Sequence, residues 1–152
     1  MKKSTLTTIA ILLAGTGALA LAHGDTAHLK KSAPVKKEQT AWGIAGEAKV
    51  VKRTVTLTMS DTMRFTPDVI NVKQGETIKL VIKNGGAMLH ELVIGTPQVL
   101  EKHAALMVKF PKMEHDEPYM AHVASGQRSD LIWTFNRAGD FDFACLIAGH
   151  FQ

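Results

Sequence analysis

Phe141-Asp142-Phe143-Ala144-Cys145-Leu146-Ile147-Ala148-Gly149-His150-Phe151 is the stretch that decides how this chain is read. Phe141, Phe143 and Cys145 alternate with Asp142 and Ala144, the period of two that marks a half-buried strand, so Cys145 belongs to the apolar side at the strand's end. Leu146 to Gly149 then form a short loop, and His150 follows it. A loop of this length can turn a thiolate and an imidazole toward one ion.

Cys145 is the chain's single cysteine, and the N-terminus tells which compartment it meets. Residues 1–22 carry the basic pair Lys2 and Lys3, an apolar run from about Ile9 to Leu21, and the small-residue ending Ala20-Leu21-Ala22. That is the layout of a cleaved signal peptide, and its apolar run falls short of the roughly 20 residues that span a bilayer. The expectation is export to the periplasm with no stable membrane association after cleavage. Oxidising compartments normally use cysteines in pairs, so a lone one implies a free thiol, an intermolecular disulfide or a metal ligand. An unprotected thiol is open to oxidation there, whereas ligation gives it a use.

The formal net charge of +4 does not point to nucleic acid, because of where the charges sit. Lys2 and Lys3 leave with the signal peptide, and Lys30, Lys31, Lys36 and Lys37 fall in residues 23–46, which read as a flexible lead-in without sustained periodicity. From Glu47 onward twelve Lys and Arg balance twelve Asp and Glu, so no basic stripe remains to hold phosphates. Cleavage after Ala22 exposes His23 as a new N-terminus with His28 nearby, a pair able to chelate copper, although a solvated tail is the plainer expectation.

Working back from the C-terminal strand, Leu131, Trp133 and Phe135 form one face of another strand, joined to it through Arg137-Ala138-Gly139. Val55, Leu57 and Met59 alternate with threonines, and Ile78, Leu80 and Ile82 alternate with Thr77, Lys79 and Lys83 after a shorter strand around Ile70 and Val72 and a Gln74-Gly75 turn. Short alternating strands with glycine-containing turns indicate an antiparallel sandwich or barrel. Residues 97–124 interrupt the pattern as an insertion with a short helix from Gln98 to Met107. Its Met107, Met113, His115, Met120 and His122 would suit soft Cu(I), but packing of flexible methionines against the sandwich is the simpler expectation.

His90 lies in Met88-Leu89-His90-Glu91-Leu92-Val93-Ile94, where parity puts it on the face of Met88, Leu92 and Ile94. One thiolate with two imidazoles is the in-plane donor set of a blue-copper site, whereas structural zinc takes four Cys and His ligands. Export, an unpaired thiol and the parity of His90 agree on His90, Cys145 and His150 as ligands of one copper. Asn84, Glu91 and backbone amides near Cys145 are candidates for tuning it.

Met63-Arg64-Phe65-Thr66-Pro67, Gly86-Ala87-Met88-Leu89-His90-Glu91, Glu114-His115-Asp116 and Phe143 to Phe151 together resemble the plastocyanin and azurin group, the cupredoxins, and most nearly their small periplasmic members of copper-resistance loci. The resemblance covers about residues 50–152. It implies an all-β Greek-key sandwich over 47–152 carrying the Met- and His-containing, partly helical insertion, with type 1 copper on His90, Cys145 and His150. It also implies an axial methionine at position 155 and a closing strand, so the expectation is a domain cut short before both.

The leading functional expectation is single-electron transfer by copper cycling between Cu(II) and Cu(I) in a monomer that meets a redox partner protein. The alternative is copper sequestration or delivery in copper resistance, with a copper-handling protein as partner. Enzyme readings are disfavoured. Multicopper oxidases need further histidines, often as His-x-His, which does not occur here; a binuclear centre needs two cysteines; and a Cys145–His150 hydrolase lacks an orienting third group.

Overall fold

The computed structural model describes residues 37–111 and 115–151. The expected signal peptide 1–22, the lead-in as far as residue 36, and Met113 lie outside the described residues. Among the described residues, eight strands and one α-helix, with a single 3-10 turn at Ala48–Val50, follow in chain order: β1 Ile44–Ala45, β2 Arg53–Ser60, β3 Arg64–Thr66, β4 Glu76–Asn84, β5 His90–Gly95, α1 Pro97–Lys109, β6 Met120–Val123, β7 Arg128–Phe135 and β8 Asp142–Ala144. They form a five-stranded sheet in the order β1-β7-β4-β2-β3 and a three-stranded sheet in the order β6-β5-β8. The chain therefore crosses between sheets after β4, after β6 and again after β7. The result is the β-sandwich expected from the alternation.

The alternating residues supply the core. Leu57 and Met59 of β2, Ile78, Leu80 and Ile82 of β4, and Leu131, Trp133 and Phe135 of β7 are buried against Leu92 and Ile94 of β5 and Ala121 and Val123 of β6. Their threonine and lysine neighbours on the larger sheet face outward, as the pleat requires. β5 differs, because every residue in it is buried. Its second face, with Val93, is covered by Leu100, Ala104 and Met107 of α1, by Met120 and by Leu146. The insertion thus acts as a third layer over the smaller sheet. Its helix starts where Thr96 caps Val99 N–H and Pro97 presets the first turn.

Four expectations need correction. The sandwich is not wholly antiparallel: β2 pairs β4 in parallel, Arg53 opposite Ile78 through Met59 opposite Asn84. The chain between them forms β3 on the far side of β2 before crossing back, which supplies the long connection that parallel strands need. The segment around Ile70 and Val72 makes no strand, and these side chains pack on the core from an irregular stretch. Met88 does not share the face of His90; it precedes β5 and is 43% exposed. Nor does the lead-in extend to residue 46, because β1 pairs β7 and Trp42 is buried. Trp42 stacks edge-on against Tyr119 and its carbonyl accepts from Trp133 Nε1 at 3.1 Å. A lysine-rich composition concealed one aromatic anchor.

Candidate metal centre

His90 opens β5, Cys145 follows the last residue of β8, and His150 ends the loop beyond it. β5 and β8 are hydrogen-bonded neighbours, with Val93 opposite Ala144. Pairing therefore brings Cys145 and His90 to the same end of the small sheet. The loop between Cys145 and His150 is anchored by the buried Leu146 and closed by His150 N–H donating to the Ile147 carbonyl at 2.8 Å.

Cys145 Sγ lies 3.7 Å from His90 Nδ1 and 3.4 Å from His150 Nδ1, and the three donor atoms fall within 4.8 Å of one another. Metal–ligand bonds of about 2.0–2.3 Å place trigonal donors about 3.5–4 Å apart, so these spacings suit one ion among them. The donor set is one sulfur and two imidazole nitrogens, which fits copper. His90 is 1% and Cys145 7% exposed, whereas His150 is half-buried.

His90 is held from behind. Its Nε2 lies 2.9 Å from Asp61 Oδ1, and a carboxylate there accepts the Nε2–H, which leaves the Nδ1 lone pair facing Cys145. Asp61 is itself fixed by Ala87 N–H at 2.7 Å and Met88 N–H at 3.3 Å. Those amide donors, with His90, hold its carboxyl below the usual carboxylate range. Gly86 permits this approach: a Cβ there would stand 2.1 Å from Asp61 Oδ1. Asn84 pins the other side of the same loop, donating to the carbonyls of Met88 at 2.7 Å and Val123 at 2.8 Å and accepting from Gly86 N–H at 2.8 Å.

Burial pushes the Cys145 thiol up, while main-chain donors at Glu91 and Ile147 pull it the other way. Glu91 N–H reaches Sγ at 3.3 Å, a contact that favours the thiolate a metal requires. Burial and then the neighbouring His90 lower His150, which favours the neutral imidazole that a metal takes.

The three ligands expected from sequence thus come together. Of the tuning candidates named there, Asn84 holds the loop before His90 and Glu91 meets Cys145 Sγ through its backbone N–H. Asp61 was missed, because an aspartate after a strand reads first as a turn former. Of the insertion residues, Met107 and Met120 are buried in the apolar layer beneath α1, which bears out the packing expectation for those two. His115 and His122 instead stand near the side chain of Glu91.

No family model matches the sequence. A copper-resistant cuproprotein CopI from Rubrivivax gelatinosus is 41% identical over 99% of this chain and 90% of its own length. One from Pseudomonas aeruginosa is 30% identical over 74% of this chain and 77% of its own length. Among solved structures, a reduced auracyanin from Roseiflexus castenholzii superposes with a TM-score of 0.55 at 18% identity, covering 66% of this chain and 89% of that one. That likeness bears on the fold alone, and it matches the cupredoxin sandwich expected from the motifs. The sequence identity, sustained over nearly the whole length of the first relative, decides the rest: this chain belongs to the family of copper-resistant cuproproteins CopI.

Proposed function

We propose that this chain is a periplasmic protein that binds one copper ion through His90, Cys145 and His150 and carries single electrons by Cu(II)/Cu(I) cycling. The observation that carries the reading is the convergence of one buried thiol and two imidazole Nδ1 atoms at 3.4 and 3.7 Å. A bound copper ion would supply the one-electron couple. The chain's part is to hold the donors still, so that little rearrangement accompanies a change of charge. Asp61 and Asn84 lock the strand and loop that carry His90, and Leu146 ties the Cys145 loop into the layer beneath α1. Burial of His90 and Cys145 keeps bulk water away, and His150, the half-buried ligand, offers the edge through which an electron leaves toward a redox partner. Exposed Met88, Leu89 and Phe151 flank the ligands in sequence and offer apolar surface for docking. None of the described helices is long and apolar enough to cross a membrane.

The names of the relatives favour a second reading, copper sequestration or delivery in copper resistance, which uses the same site. Copper stoichiometry separates the two. One copper per chain with fast electron exchange supports the carrier, and additional Cu(I) equivalents support handling. The site itself is tested by Cys145→Ser, which should abolish the intense visible absorption of the Cu(II) form, since that absorption needs a thiolate. A variant that kept the colour would sink the assignment.

A further inference from the structure

Glu91 is fully buried, and among the described residues its carboxylate has only the imidazoles of His115 and His122 and the Leu146 main chain to meet its charge. A buried carboxylate is costly unless its charge is met, so its surroundings call for an explanation. Parity sends it to the face of β5 opposite His90, away from the copper ligands. Directly across the ladder lies His122 of β6, whose Nε2 is 3.0 Å from Glu91 Oε1. His115, in the segment leading into β6, places its Nε2 3.3 Å from the same oxygen. His103 of α1 brings its Nε2 to 2.9 Å from that of His115. Two imidazoles from the insertion therefore converge on one buried carboxylate, and a third, His103, stands against the first of them.

We infer that Glu91, His115 and His122, whose donor atoms lie within 4.8 Å of one another, form a second metal site for a divalent transition-metal ion such as Zn(II) or Cu(II), with His103 beside it against His115. With metal–nitrogen bonds of about 2.0–2.1 Å, tetrahedral donors stand about 3.3 Å apart, close to the 3.0 and 3.3 Å that separate the two imidazoles from the Glu91 oxygen. A divalent cation would neutralise the carboxylate and take up the imidazole lone pairs at once. The donors are nitrogen and oxygen, which suit Zn(II) and Cu(II) better than Cu(I). The thioethers of Met107 and Met120, which would favour Cu(I), are instead packed with Val93, Leu100 and Leu146. Entry is open, because an accessible depression is lined by His115, Asp116, His122, Ser129 and Asp130. The two sites share one strand: His90 serves the first, and the next residue serves the second from the other face.

The test uses Co(II) as a spectroscopic stand-in and Zn(II) for affinity, with Cys145→Ser removing the first site. The Cys145→Ser chain should bind one Co(II) with tetrahedral ligand-field bands and no thiolate charge-transfer band, and should retain one Zn(II) on dialysis. Adding His115→Ala and His122→Ala should weaken Zn(II) binding by at least about 100-fold, the upper end of what losing even a supporting partner costs a metal site. The same two substitutions with Cys145 intact should leave the Cu(II) colour of the first site, which shows that the fold survives and keeps this outcome separate from the fate of the electron-carrier reading. A Cys145→Ser chain that held no Co(II) or Zn(II), or equal retention after loss of both histidines, would overturn the second site.

Discussion

Asn84→Ala tests whether the loop before His90 is held as argued. Asn84 is 3% exposed and its side chain makes hydrogen bonds to the Met88 carbonyl, the Val123 carbonyl and Gly86 N–H. Met88 is exposed and Gly86 half-buried, so water can replace those two partners, and each loss costs a net of about 1 kcal/mol or less. The Val123 carbonyl belongs to a residue 1% exposed and stays unsatisfied, at about 1–3 kcal/mol. The total is about 3 kcal/mol, a large share of the roughly 5–15 kcal/mol that holds a domain together. For a domain of this size it should lower the thermal midpoint by about 10–15 °C. Because Met88 and Gly86 precede the ligand, the variant should also show a shifted and broadened Cu(II) spectrum. Thermal unfolding with and without Cu(II), followed beside visible absorption, measures both. A midpoint within about 3 °C of the native chain, with an unchanged spectrum, would refute the claim that Asn84 organises the site.

Asp61→Asn removes the charge behind His90 but keeps an acceptor, and since a carboxylate on the imidazole favours Cu(II), the variant should stay coloured with a raised reduction potential by voltammetry; an unchanged potential would dismiss Asp61 as a tuning group. His103→Ala, remote from the Cys145 ligand set, should leave the visible Cu(II) spectrum as it is, and loss of colour would show that copper bound elsewhere. Gly43→Ala should destabilise by about 2–4 kcal/mol in chemical unfolding, because φ is +139° and the new Cβ would stand 2.4 Å from both the Thr134 carbonyl and Trp133 Nε1; a neutral outcome would mean that residues 39–46 are not part of the folded unit. Glu76, held below its ordinary 4.5 chiefly by Arg53, adds stability that is complete above that value and lost as pH falls through the lowered one. Native and Glu76→Gln unfolding midpoints should therefore differ at neutral pH and converge in acid, and a gap independent of pH would assign the loss to packing.

Local pattern carried a good deal. Alternation at Leu57, Ile78, Leu80, Leu131 and Trp133 determined which faces are buried, because the strand period is two and one face of each of those strands meets solvent. The spacing of Cys145 and His150, the solitary thiol and the place of His90 pointed to three side chains that the fold brings within 4.8 Å of one another, since two of them sit on one short loop and the third begins the neighbouring strand. What lay beyond reach depended on which strands pair and which layer covers them. The parallel register of β2 and β4 follows from a chain crossing that no local period encodes. Asp61 stands 29 positions before His90, and only the tertiary fold delivers it to Nε2. The same holds for Glu91. In sequence it is one charged residue among apolar neighbours, and burial of both faces of β5 beneath α1 turns it into a carboxylate enclosed by His115 and His122, which lie 24 and 31 positions away and meet it only once β6 pairs with β5.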